Sequence, residues 1–352
     1  YQRRVRGLSL ELNPDSVVVI TRHGIRAPLH LFPGDESEWN CDPVSYNFKR
    51  QKDQTLKNSR LKLKFDVKNK LKGSCFNGQL SPGGYQQHLD LSLLWQRLYP
   101  NFSAQFLRST HVHRVQLSLL GQMTQLKHQY DSAHVGTKDL DTLVHPDNCT
   151  YYFNYLDKVW AHMGDRYRKA DLDRISANIN WPGLTWENLG DNFRCRKAMN
   201  VPKPATISQE DADLSVQMIQ NTWREAYCEY PLQEERMRYL KLSVGASVGD
   251  IQKYLQNQSF TIVSAHDTTI APYATILFDN NDWACGQPGF ASFIVFERYG
   301  QDVKIRFRDG SDGEGIYMKM KACGKDTCTV AELEGFLKQY VVTRQQRDEL
   351  CH

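Results

Sequence analysis

Short, wholly apolar runs alternate along this chain with amphipathic stretches, and the two patterns predict different elements. Ser16-Val17-Val18-Val19-Ile20-Thr21 and Phe260-Thr261-Ile262-Val263-Ser264 are continuous β-branched runs of strand length. A strand with no polar face is buried on both sides, as in a parallel sheet lying between helices. Ala104 to Ser109 reads as a further strand. Ser81-Pro82 opens a helix in N-cap and N1 order, with Tyr85, Leu89 and Leu93 following at one-turn intervals. Another helix after Ser109 carries Leu119, Leu120, Met123 and Leu126. From about Tyr151 to Leu255 the pattern is mainly helical and rich in Arg, Asp and Glu, with a capping signal at Ser208-Gln209-Glu210-Asp211. After Phe290, strands are expected at Ala291 to Glu297, Val303 to Phe307 and Ile316 to Met320, and a last helix near Thr329.

This order predicts an α/β fold: a central mixed, largely parallel sheet flanked by helices on both faces, with a smaller, mainly helical inserted domain. The sheet domain is then discontinuous, taking residues 1–112 and 257–352, and the helical cap takes 113–256.

Composition agrees with a buried core. The chain has 352 residues, 40% hydrophobic and 24% charged, with 11% aromatics that exclude disorder and collagen. No apolar run approaches the ~18 residues that cross a bilayer. Tyr1 to Gly7 has no apolar signal region, so no signal peptide is expected within these residues.

The net charge is +4, but Lys57 to Lys72 holds seven basic residues and one acid, so the rest of the chain sums to −2. Nucleic-acid binding would need basic charge spread over a face, and no nucleic-acid partner is expected. Leu61 to Lys68 alternates Leu, Phe and Val with Lys and Asp and reads as an edge strand guarded by lysines.

Nine cysteines, with no CxxC and no zinc-like Cys/His spacing, stand beside three glycosylation sequons at Asn101, Asn148 and Asn257. Together they point to the secretory pathway: a secreted, lysosomal or membrane-tethered extracytoplasmic protein, any tether lying outside these residues. An odd count leaves at least one thiol unpaired within the chain.

The chemistry-bearing residues cluster at strand ends. Arg22-His23-Gly24-Ile25-Arg26-Ala27-Pro28 follows the first apolar run, where open α/β sheets bind ligands. Two arginines around a histidine suit a tetrahedral oxyanion, because guanidinium forks match it bidentately and keep their charge. Gly24 would let the backbone approach that anion, and Pro28 would fix the exit of the turn. Ser264-Ala265-His266-Asp267-Thr268-Thr269 and Arg108-Ser109-Thr110 end two more strands. Three strand ends supplying three arginines, two histidines and a carboxylate make a coherent site for phosphoryl chemistry.

These motifs, with Gly78-Gln79-Leu80-Ser81-Pro82-Gly83-Gly84, resemble those of the histidine acid phosphatases, the prostatic and lysosomal branch of the histidine phosphatase superfamily. The likeness runs in the same order from about Ser16 to Cys351. It implies hydrolysis of phosphate monoesters, small-molecule or phosphoprotein, through a phosphohistidine. His23 is then the nucleophile, and Arg22, Arg26, Arg108 and His266 hold the phosphate. Asp267 donates the proton to the leaving group, and Trp186 lines the substrate entrance. The resemblance also implies a homodimer and the bridges Cys149–Cys351, Cys195–Cys285 and Cys323–Cys328. Cys41 and Cys75 are then expected to pair, leaving Cys228 free. The chemistry needs no cofactor or metal, and the sequence offers no metal cage.

There are departures. His111 and His113 follow Arg-Ser-Thr where the family has an acid, and Leu31 to Cys75 is long and basic. Pro28 to Cys41 is similar to the phosphoxylose phosphatases, so a specialised phosphatase of that or of phytase type is the alternative. A phosphotransferase of the phosphoglycerate mutase type and a catalytically silent binding protein are the remaining readings. The cysteines and sequons argue against the first, and the presence of both His23 and Asp267 against the second.

Overall fold

The computed structural model describes residues 13–41, 46–48, 59–61, 69–102, 106–124, 126, 132–138, 140–146, 148–257 and 260–352. Residues 62–68 of the lysine-guarded strand expected at Leu61–Lys68, and most of the basic segment, fall outside these residues.

In chain order the first strand is β1 (Ser16–Arg22), followed by the short pair β2 (Tyr46–Phe48) and β3 (Ser59–Leu61). Next come α1 (Pro82–Leu98), β4 (Phe106–Ser109), α2 (His113–Met123) and β5 (His134–Val135). The long helical stretch holds α3 (Thr150–Met163), α4 (Lys169–Asn178), α5 (Trp186–Met199), α6 (Gln209–Arg224), α7 (Gln233–Leu240) and α8 (Ala246–Asn257). The chain closes with β6 (Phe260–Ala265), α9 (Asp267–Leu277), β7 (Phe293–Tyr299), β8 (Asp302–Arg308), β9 (Ile316–Tyr317), β10 (Thr327–Thr329), α10 (Val330–Leu337) and α11 (Arg344–Glu349).

The central sheet is mixed, in the order β10-β8-β7-β1-β6-β4-β5, with β9 beside β8; β2 and β3 pair separately. β1, β6, β4 and β5 run parallel, and β7 joins β1 antiparallel. All seven residues of β1 are buried, which is what its unbroken apolar run requires. Val17 and Val19 meet Leu91, Leu94 and Trp95 of α1 on one face. Val18 and Ile20 meet Val248, Ile270 and Tyr273 on the other. A separate core under α4 to α6, including Leu172, Ile175, Leu189 and Phe193, holds the helical cap together. The segment 113–256 thus divides: α2 and β5 belong to the sheet layers, and α8 packs on β1.

Helix starts follow their capping chemistry. Ser81 accepts from the Gly84 amide at 3.0 Å, Ser208 from Asp211 at 3.0 Å and Thr329 from Glu332 at 3.2 Å.

Four bridges close: Cys41–Cys75, Cys149–Cys351, Cys228–Cys285 and Cys323–Cys328. The expected Cys195–Cys285 pair does not form, and Cys195, not Cys228, carries the free thiol. Cys195 lies on the face of α5 turned toward Asp191 and Arg26. Cys228 stands in the π turn after α6, its Cα 6.2 Å from that of Cys285, within bridging range. Residue spacing carries no such information.

Among the described residues no helix is long and apolar enough to cross a membrane. The sequon residues Asn101, Asn148 and Asn257 are all exposed.

Candidate active site

Strand register assembles the site. Arg22 of β1 lies beside Ala265 of β6, and Ser109 of β4 beside Ser264, so three parallel strands end at one edge of the sheet. The chain leaving β1 is held there by the Gly78–Gly84 segment. Ala27 donates to the Gln79 carbonyl at 2.9 Å, and Gly78 donates to that of Pro28 at 2.9 Å. Gly24 serves this packing and not an approach to an anion. A Cβ on Gly24 would stand 2.2 Å from the Gly84 carbonyl oxygen, and one on Gly84 would stand 2.1 Å from that of Ile25. Only a glycine pair lets the loop lie on the start of α1.

His23 is buried, and its Nδ1 lies 2.9 Å from the Gly24 carbonyl. A carbonyl only accepts, so Nδ1 carries the proton and Nε2 keeps its lone pair. Burial first, and then the charges of Arg114, Arg22 and Arg26, push its pKa well below 6.5. Burial and these charges thus favour the neutral imidazole, the form that acts as a nucleophile. The His266 ring lies edge-on to it, centroids 5.7 Å apart, with Nε2 3.0 Å from the Thr110 hydroxyl. Burial and the same arginines keep His266 neutral too.

Around His23 stand Arg22, Arg26, Arg114 and Arg194 against Asp191 and Asp267, a net charge of +2 that matches a phosphate dianion. Arg22 pairs with Asp267 at 2.6 Å, donates to the Pro288 carbonyl and lies 4.5 Å over the Phe290 ring. Arg26 grips Asp191 with both terminal nitrogens, at 2.8 and 3.1 Å. Burial works against the charge on both partners, and their attraction outweighs it: Arg26 stays above the ordinary range and Asp191 below. Burial first, and then the charges of neighbouring arginines, lower Arg22 to about 10 and Arg114 to about 9. The Nε–H groups of Arg22, Arg26 and Arg114 are buried and bond to no protein atom. Guanidinium donors left open in this way are what an oxyanion satisfies.

Asp267 opens α9 and accepts from Gln287 at 2.7 Å and from the Thr268 amide at 2.9 Å. Burial favours its neutral form, but Arg22 and Arg26 outweigh that and hold its pKa at about 2.

Of the residues singled out from sequence, Arg22, His23, Arg26, His266 and Asp267 come together, while two do not. Arg108 turns away, donating to Asp250 at 2.8 Å and Tyr254 at 3.1 Å and also to Thr142. Trp186 is buried in the core of the cap, its indole donating to the Tyr167 carbonyl at 2.6 Å. Sequence reasoning missed Arg114, Asp191, Arg194 and Gln287. Arg114 had a signal: it lies in the first turn of the helix that follows the Arg-Ser-Thr strand end, where side chains face the crevice. Among the described residues no group of three His, Cys, Asp or Glu could hold a metal ion.

No protein-family model matches the chain. Among curated proteins it is 22% identical over 345 residues to counting factor 60 of Dictyostelium discoideum, covering 84% of this chain and 78% of that one. Among solved structures it is similar to the phytase of Citrobacter braakii, with a TM-score of 0.58 and 14% identity over 97% of this chain and 99% of that one. It is also similar to the multiple inositol polyphosphate phosphatase of Bifidobacterium longum, crystallised with inositol hexasulfate: TM-score 0.54, 14% identity, 92% of each chain. The chain has the α/β fold of these two solved structures.

Proposed function

We propose that this chain is a phosphoric monoester hydrolase of the histidine acid phosphatase superfamily, working through a phosphohistidine on His23. One observation carries the reading: a neutral imidazole with a free Nε2 stands among guanidinium groups whose buried Nε–H donors have no partner. A phytase and a multiple inositol polyphosphate phosphatase of the same fold, covering 97% and 92% of this chain, support the reaction class. The sequence motifs alone support the prostatic and lysosomal branch. Four bridges support an oxidising, extracytoplasmic compartment.

The chemistry follows from charge. The arginines neutralise the non-bridging oxygens as negative charge shifts in the transition state. Nε2 of His23 attacks phosphorus in line, so an N–P bond forms while the ester P–O bond breaks. The departing oxygen takes a proton from Asp267. Water then attacks the phosphohistidine, giving its proton to the Asp267 carboxylate, and phosphate leaves.

A carboxyl held at about 2 is ionised and has no proton to give until substrate arrives. A phosphate dianion among the arginines cancels the charge that depresses it and raises its pKa. The complex needs one proton, and a substrate monoanion brings it, to be passed to Asp267 or directly to the leaving oxygen. Because a phosphate ester gives up that proton near pH ~6, kcat/KM should fall above that pH. The test is phosphate release from 4-nitrophenyl phosphate and glycerol phosphate between pH 4 and pH 8. Turnover that fades above about pH 6 and vanishes in His23→Ala supports the proposal, whereas full turnover by that variant overturns it.

A further inference from the structure

The loop from α9 to β7 carries a buried side chain that ends on the proposed acid. The amide of Gln287 stands between Arg194 of α5 and Asp267. A guanidinium only donates, so Arg194 fixes which way the amide points: Oε1 accepts from it, and Nε2 donates to Asp267 Oδ2 at 2.7 Å. The backbone beneath is held as well. Gln220 of α6 accepts from the Gln287 backbone N–H at 2.9 Å and donates to its carbonyl at 3.3 Å. A Cβ on Gly286 would stand 1.9 Å from that Gln220 oxygen, so the pair closes only over a glycine. Arg22 and Arg194 both donate to the next carbonyl, that of Pro288, and Cys285 is bridged to Cys228 beyond α6. An apolar side chain could fill the same space. What the amide adds is a hydrogen-bond donor aimed at one carboxylate oxygen.

The two oxygens of Asp267 are thereby made unequal. Oδ2 faces the Arg22 guanidinium at 2.6 Å as well as the Gln287 donor, so a proton placed there would meet hydrogens on both sides. Oδ1 accepts from the Thr268 amide at 2.9 Å, and no second donor among the described residues reaches it. We infer that Gln287 is a positioning residue: by occupying Oδ2 and fixing the carboxyl plane, it makes Oδ1 the oxygen that carries the proton to the leaving group. The inference rests on the phosphatase reading above, in which Asp267 is that donor. As the ester P–O bond breaks, the O–H bond at Oδ1 breaks with it. The proton goes to the departing oxygen, and the electron pair stays on the carboxylate. Hydrogen bonds from Gln287 and Thr268 already stand where that charge appears, so nothing has to reorganise. Without the Gln287 amide the carboxyl can turn and carry its proton on either oxygen, and fewer molecules are poised to react.

The test measures kcat on glycerol 2-phosphate and on 4-nitrophenyl phosphate in wild type, Gln287→Met, Asp267→Asn and the double variant. Methionine keeps the length of the side chain and removes the amide. Gln287→Met should lose roughly tenfold or more on glycerol 2-phosphate, whose leaving oxygen needs the proton, and much less on 4-nitrophenyl phosphate. Added to Asp267→Asn it should cost little more, because a residue that acts through another has nothing left to act on. Equal loss on both esters, or a double variant slowed by the product of the two single losses, overturns the inference and leaves the phosphatase reading intact. Should Gln287→Met not fold, Gln287→Glu decides, since it keeps an acceptor for Arg194 and turns a second carboxyl toward Asp267. Two carboxylates so placed share a proton, and the pH at which kcat on glycerol 2-phosphate falls by half should rise. A midpoint that stays where it is in wild type overturns the inference. A wild type that hydrolyses neither ester overturns both readings.

Discussion

Arg114 and Arg108 exchange the roles that their neighbouring motif suggests, and replacing each by alanine separates them. Of all charges acting on His23 and His266, that of Arg114 is the strongest, and its Nε–H has no protein partner. At ~4 Å and an effective dielectric constant of ~20, a unit charge pair is worth about 4 kcal/mol. Loss of one preorganised donor to a developing oxyanion costs ~10²–10³ in kcat, about 3–4 kcal/mol. The two estimates agree, so Arg114→Ala should lower kcat/KM by ~10²–10³ on any phosphate monoester. Removing a buried like charge should at the same time leave the fold as stable or more so. Arg114→Lys keeps the charge and loses the fork, and should fall between. Arg108→Ala should behave in the opposite way. It takes the cation from Asp250, whose side chain is 30% exposed and keeps the hydrogen bond from Thr142, and the donor from the Tyr254 hydroxyl. The expected cost is about 1–3 kcal/mol of stability, with kcat/KM near wild type. Steady-state kinetics and urea unfolding on both variants decide it. A large rate loss in Arg108→Ala beside near wild-type rate in Arg114→Ala would refute the geometry argued here.

Three further outcomes are expected. Asp267→Asn should lose ~10²–10⁴ in rate on glycerol phosphate and much less on 4-nitrophenyl phosphate, whose leaving oxygen needs no proton. Its folded-state pKa of about 2 lies below the ordinary 3.8. The carboxylate therefore contributes about 2 kcal/mol above pH ~4, lost as pH falls through ~2, and the stability gap between wild type and Asp267→Asn should close over that window. Alkylation before reduction, in denaturant, should label Cys195 alone; the folded protein should resist, because burial pushes this thiol up to about 12. His88 is wholly buried with both ring nitrogens unbonded, and burial holds its pKa at about 3 against 6.5. Since the unfolded chain takes up that proton below pH 6.5, stability from neutral His88 is lost on acidification. His88→Leu should gain about 2 kcal/mol more over wild type at pH 5 than at pH 7, measured by urea unfolding at each pH.

What the sequence made legible is local. β1 and β6 announce themselves because a strand buried on both faces has no polar position, and both are wholly buried. Arg22, His23 and Arg26 lie in one turn and His266 and Asp267 in another, so finding the strand ends finds the site. Asp191 is 165 residues from Arg26 and Gln287 is 20 from Asp267, and no periodicity joins them. Their roles exist only once the cap has folded over the crevice. Arg108 misled because a strand end near the site does not fix which way its side chain turns; the carboxylate of Asp250 draws it outward. The disulfide partner of Cys285 depended on which face of α5 holds Cys195, and that is set by the pairing of Arg26 with Asp191. Gly24 was read as clearance for an anion, yet the backbone that needs its missing Cβ belongs to Gly84.

The central claim is that phosphorus becomes bonded to Nε2 of His23. Rapid acid-free quenching of the enzyme during turnover of ³²P-labelled 4-nitrophenyl phosphate, followed by alkaline peptide mapping, reads it directly. The account requires label that survives base, is lost in acid and maps to the peptide carrying His23, and that is absent from a folded His23→Ala variant. Label on another residue, or phosphate released by wild type at full rate with no trapped phosphoenzyme under single-turnover conditions, would contradict it.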